Sequence, residues 1–192
     1  MKDTIKEYLA GQYEAYVKDL ETLTNIDSGN GDLQGTEAAN KFVAEKMQEL
    51  GAVTEFRYND RACHLISRLK GSGKLSILLV AHVDTVFNRG EAAKRPFKVD
   101  ENGFAWGPGV GDDKATVVEV IYGLKALLKA DFLILKKLFI IPTAKKKAAP
   151  RLPKRLWQSF LSRQILPLLW TWPVLTGASL HSVRVMQSIR FR

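Results

Sequence analysis

Apolar residues recur at two alternating periods along the first two-thirds of the chain, and that alternation predicts an α/β layer structure, a sheet flanked by helices. Residues 4–24 carry Ile5, Leu9, Tyr13, Tyr16, Val17, Leu20 and Leu23 at helical spacing. A stretch rich in Asn, Asp, Gly and Ser, Asn25 to Gln34, reads as a loop. Thr36 then opens a second helix with Ala39, Phe42, Val43, Met47 and Leu50 on one face and Gly51 as its stop. Val53–Tyr58 and Cys63–Leu69 read as strands joined by a turn at Asn59-Asp60. Gly71-Ser72-Gly73 separates them from a further strand at residues 75–81. The polar connection over residues 88–104 includes a short strand pair around Phe97 and Phe104, and a third helix runs from Lys114 to Lys129.

After Lys129 the pattern degrades. Phe132–Ile141 has the apolar content of one more strand, but Lys136 and Lys137 interrupt it. Beyond Pro142 no period is sustained and four more prolines follow. The expected organisation is therefore an ordered part at residues 1–129 and an irregular basic tail at 130–192 that is not a domain.

Charge sharpens this division. Residues 1–129 hold 17 Lys plus Arg against 19 Asp plus Glu, whereas residues 130–192 hold 12 against 1. The net charge of +9 thus comes wholly from the tail. Such a tail could bind nucleic acid or an acidic partner, but charge alone supports that reading, with no nucleic-acid motif or regular basic helix beside it. The single cysteine, Cys63, excludes an internal disulfide and reads as a core or strand position. The amphipathic N-terminus is not of signal-peptide type. The longest apolar-rich window, Ile165 to Ala178, has 14 residues and two prolines, short of the roughly 20 that span a bilayer. A cytoplasmic protein with no membrane association is expected.

Two segments carry the chemistry. In LSILLVAHVDTVF, residues 75–87, His82 and Asp84 follow a buried strand and share one face of its extended end. In WGPGVGDDKATVVEV, residues 106–120, a glycine-rich turn presents Asp112 and Asp113 just before a helical pattern. Histidine can ligate a zinc-type metal through one ring nitrogen, and a carboxylate beside the other fixes its tautomer. Asp84 suits that supporting role, and Asp112 could ligate one metal or bridge two. Each residue alone also has a structural reading, the aspartate as a helix N-cap. GPGVG lacks the Lys-Ser/Thr of a phosphate loop and the spacing of a dinucleotide fingerprint.

Together the segments resemble the zinc-dependent metallopeptidases that include glutamate carboxypeptidases, aminoacylases and succinyl-diaminopimelate desuccinylase. HVDTV and WGPGVGDDK match that family's first two metal-binding motifs, and LTNIDSGNGDLQGTEAANKFVAEKMQELGA resembles its opening helix–loop–helix. The resemblance covers residues 1 to about 129, the N-terminal part of a catalytic domain. It implies a metal-dependent amide hydrolase that releases a C-terminal amino acid from a peptide or N-acyl amino acid. It further implies two Zn2+ ions, with His82 a ligand of one, Asp112 bridging both, and catalytic Asp84 orienting His82. Members often continue with two glycines where this chain has Ala115-Thr116.

The family also implies a glutamate pair (one the general base), a further acidic ligand, a distant histidine, and a second domain through which relatives form homodimers. After Asp131 the chain contains no Asp or Glu, and its one later histidine, His181, has no family-like context. An inactive chain is expected, or an inactive metal-binding regulator. Read one nucleotide out of phase, the codons for Pro142 to Ala149 permit Thr-Asp-Ser-Glu-Glu-Lys-Gly-Ser. A frameshift between about Leu128 and Pro142 is the expected origin of the tail.

Overall fold

The computed structural model describes residues 2–60, 62–73, 75–131, 135–143, 166–169 and 188–190, the last three stretches by their backbone alone. Helices α1 (Lys2–Gly11) and α2 (Tyr13–Thr24) replace the single helix expected over 4–24. The chain breaks at Gly11-Gln12, where glycine is a poor helix former. Helix α3 (Leu33–Glu49) starts three residues before the expected Thr36, because Asp32 caps it through a hydrogen bond accepted from the Gly35 N–H. Gly51, at φ +80, ends that helix as its sequence position predicts.

Strands β1 (Val53–Asn59) and β2 (Ala62–Lys70) form the expected hairpin, and β3 (Leu75–His82) carries its strand one residue further, to the histidine. A short helix α4 (Glu91–Lys94) is an addition to the expected connection. Next, β4 (Lys98–Val99) pairs with β5 (Phe104–Trp106). An irregular turn at Val110–Lys114 leads into α5 (Ala115–Lys129).

Strand β6 (Leu135–Thr143) does form, despite its lysines. It lies between β2, to which it is antiparallel, and β3, to which it is parallel. Lys137 is opposite Lys70 and Ser76, where β2 ends and β3 begins, so the interruption falls near the rim of the sheet. Residues without sequence period also form strands, β7 (Leu166–Leu169) beside β3 and β8 (Ser188–Arg190) beside β5. The main sheet runs β1-β2-β6-β3-β7 and a smaller one β4-β5-β8. In the main sheet β3 is flanked by β6 and β7.

The core lies between the helices and the main sheet. Leu20 and Leu23 from α2, Val43 and Met47 from α3, and Val118 and Ile121 from α5 are fully or almost fully buried. They belong to one cluster with Leu65 of β2 and Val83 just past β3. At the hydrophobic rate of about 25 cal/mol per Å2, such burial is the principal stabilising contribution. Cys63 is buried on β2, as expected, and burial pushes its thiol up to about 11, which keeps it protonated and unreactive. Among the described residues no helix is long and apolar enough to cross a membrane. His181, the window Ile165–Ala178 as a whole and the segment Pro142–Ala149 as a whole extend outside the described residues.

Candidate metal centre

The centre sits where β3 ends. In an α/β sheet the carboxyl ends of parallel strands open onto a crevice, and loops from different parts of the chain converge there. His82 is the last residue of β3, Asp84 lies two residues on, and Asp112 reaches it from the turn before α5. His82 Nε2 lies 3.1 Å from Asp112 Oδ1, across 30 residues of sequence. The other ring nitrogen, Nδ1, is 3.0 Å from the backbone oxygen of Asp84 and 3.4 Å from its Oδ1. The three residues that the sequence singled out are therefore brought together.

Burial and charge set the histidine's proton affinity. Burial pulls the His82 imidazole down, but the Asp84 carboxylate beside its ring and the charge of Asp113 outweigh it, and the net shift is upward. Asp84 is itself almost wholly buried, at 2% exposure, and its Oδ1 accepts no hydrogen bond. Such an orphaned buried oxygen is costly unless a cation or imidazolium stands close by.

The turn owes its shape to two glycines. Gly109 has φ +75, and a Cβ there would lie 2.5 Å from Thr85 Cγ2. Gly107 has φ +151, and its Cβ would meet Thr24 Cγ2 at 2.5 Å. These close approaches let the turn press against both the β3 exit and the end of α2. The Asp112-Asp113 peptide is cis.

Neither aspartate serves as the N-cap of α5. The preceding residue is Lys114, which makes no side-chain cap. Asp113 is buried instead, its Oδ2 accepting a hydrogen bond from the His82 N–H at 3.4 Å, and its carboxyl is bonded to Thr116. Burial raises the Asp113 carboxyl above the usual range despite those bonds and the nearby His82.

Sequence reasoning did not assign work to Lys114 or to the polar loop before α3. Lys114 is fully buried, and its Nζ donates to the carbonyl oxygens of Ile26 at 2.7 Å and Thr24 at 3.4 Å. Burial drives its ammonium down to about 7, against the opposing pull of Asp27. In the same loop Ser28 Oγ donates to the Val83 carbonyl at 2.6 Å, and Asp27 accepts from the N–H groups of Gly90 and Ala92. The one signal available in sequence was the density of Asn, Asp and Ser, which marks side chains that satisfy backbone groups.

The donor set fits a divalent cation in part. An imidazole nitrogen and a carboxylate oxygen face each other as two ligands of one ion would, with a second carboxylate behind the imidazole. Zinc sites use three or four protein ligands. Among the described residues no group of three or more His, Cys, Asp and Glu is positioned to hold a metal. The described residues thus supply two donors and lack the rest of a closed site.

The model of Peptidase family M20/M25/M40 matches residues 78–141, from β3 through β6, a stretch that includes His82, Asp84 and Asp112. The resemblance read from the sequence is thereby shown for that part of the chain.

Among curated proteins, the chain is 38% identical over 116 residues to Carboxypeptidase G2 of Pseudomonas sp. (strain RS-16), covering 59% of this chain and 28% of that one. It is 31% identical over 153 residues to Beta-Ala-Xaa dipeptidase of Lactobacillus delbrueckii subsp. lactis, covering 72% and 31%. The chain therefore spans about three tenths of the length of these relatives. The fold is similar to that of the di-peptidase Dug1p from Saccharomyces cerevisiae (TM-score 0.71, 14% identity, 87% of this chain and 40% of that one). It is equally similar to human carnosine dipeptidase 1 (TM-score 0.70, 16% identity, 90% and 42%).

Proposed function

We propose that this chain carries the first half of a metal-dependent amide hydrolase centre, of the kind that releases a C-terminal amino acid from a peptide or N-acyl amino acid. The observation that carries the reading is the 3.1 Å approach of His82 Nε2 to Asp112 Oδ1, with Nδ1 turned to Asp84. In this reading His82 and Asp112 hold the ion, Zn2+ being the choice that suits an imidazole and a carboxylate. When bound, such an ion polarises a substrate carbonyl and lowers the pKa of water. Asp84 keeps the imidazole oriented, so that its Nε2 would offer a lone pair to an ion shared with Asp112.

The same reading makes the 192-residue chain inactive by itself. No Asp or Glu follows Asp131, so no carboxylate beyond that point can serve as general base or further ligand. Loss of a general base alone removes a factor of about 10²–10⁴ in rate. A reading-frame change between about Leu128 and Pro142 would account for the abrupt basic composition of residues 130–192.

Sequencing the coding region across residues 125–150, then expressing both the present and the shifted frame, tests this. The expected result is Zn2+-dependent cleavage of dipeptides or N-acyl amino acids by the shifted-frame protein, abolished by His82→Ala, and none by the present chain. Turnover by the present chain would contradict the inactivity. A shifted-frame protein that folds, binds Zn2+ and cleaves no amide would contradict the hydrolase reading.

A further inference from the structure

Lys114 departs from what a core position asks of a side chain. Among the described residues it is the largest fully buried side chain, at 0% exposure, and it lies at the threshold of α5. A methionine would fill similar space without desolvating a charge. The ammonium instead sits at the C-terminus of α2, where its Nζ meets the carbonyls of Thr24, the last residue of that helix, and Ile26. Helix C-termini present unsatisfied carbonyls and partial negative charge, which favour a cation there.

The stretch that Lys114 grips is fastened at its other side to the exit of β3. Ser28 Oγ donates to the Val83 carbonyl, the Thr85 N–H donates to the Ser28 carbonyl at 2.8 Å, and the Asn30 N–H donates to the Thr85 carbonyl at 2.8 Å. Gly29 approaches so closely that a Cβ there would collide with the Phe87 carbonyl oxygen. One segment, Thr24–Asn30, thus touches the Asp112 turn through Lys114 and the His82–Asp84 strand end through Ser28. The two donors of the centre meet by their own side chains and are each held, one step back, by this common strap.

We propose that Lys114 is a positioning residue which, through the segment Thr24–Asn30, sets the approach of the Asp112 turn to the His82 strand end. The strap transmits order between the two loops: loosening its hold on either one loosens both. This rests on the half-site reading for its purpose, but the coupling itself is a property of the backbone and is measured without metal or substrate.

Amide hydrogen exchange on the full 192-residue chain, comparing wild type with Lys114→Met, is the test. Loss of two hydrogen bonds from a buried ammonium should speed exchange about tenfold or more at residues 110–114 and equally at 83–86. Amides of the β1–β2 hairpin should stay unchanged. Should Lys114→Met fail to fold, Ser28→Ala decides from the opposite side, since it frees Val83 yet should also speed exchange at 110–114. Acceleration limited to the loop whose bond was cut, or spread evenly over the chain, would overturn the proposal. Absence of Zn2+ binding or of hydrolysis would bear on the half-site reading and leave these exchange rates untouched.

Discussion

Single residues at the β3 exit are held in conformations that few substitutes can adopt. Gly109 combines a left-handed backbone with a neighbour, Thr85 Cγ2, already in the space of a Cβ. Gly109→Ala is therefore expected to lower stability by about 1–3 kcal/mol, measured by denaturant unfolding. A neutral result would mean the turn can retreat from Thr85. At Asp84 the carboxylate is buried beside the His82 imidazole with an oxygen that accepts no hydrogen bond. Asp84→Asn keeps the shape and removes the charge, so the His82 imidazole should titrate at lower pH, a shift that NMR of its ring protons reads directly. An unchanged His82 titration would assign its raised proton affinity to Asp113 instead.

Elements were legible from sequence where one face decides the matter. The 3.6-residue period located α3 and α5, and the apolar run before His82 located β3, because each buries a continuous face in the same core. What escaped depended on contacts distant in sequence. Strand β6 looked broken by Lys136 and Lys137, yet its place between β2 and β3 is set by pairing partners more than 50 residues away, a relation no local period encodes. Likewise the loop of residues 25–32 read only as polar, although its side chains fasten α3, α4 and the β3 exit.

Asp32 makes that fastening measurable. It caps α3 and pairs with Arg89, whose hydrogen bond, with that of Gly35, holds its carboxyl below the usual aspartate range. Asp32→Ala should cost about 1 kcal/mol for the lost cap. A depressed folded-state pKa stabilises above the unfolded value and loses that contribution as pH falls through the folded value. The gap between wild type and variant should thus be full at neutral pH and shrink below about pH 3.9. A gap that widens in acid would contradict this assignment.

For the whole molecule, one core joins the helices to the sheet, and the candidate centre stands on its rim. Leu65 of β2 is fully buried within that cluster. Leu65→Ala should cost about 2–5 kcal/mol in chemical denaturation, and a loss under about 1 kcal/mol would indicate a core able to collapse around the gap. The fold and the meeting of His82, Asp84 and Asp112 were foreshadowed by motifs at strand and turn ends. The remaining donors were not, since the sequence after Asp131 offers no acidic residue to place. The most direct test of the half-centre is calorimetric titration of Zn2+ into the 192-residue chain, its His82→Ala variant and its Asp112→Asn variant. The account predicts weak binding by the parent chain that either substitution abolishes, as expected for two ligands in place of three or four. Binding unaffected by both substitutions would place the metal elsewhere and contradict the account.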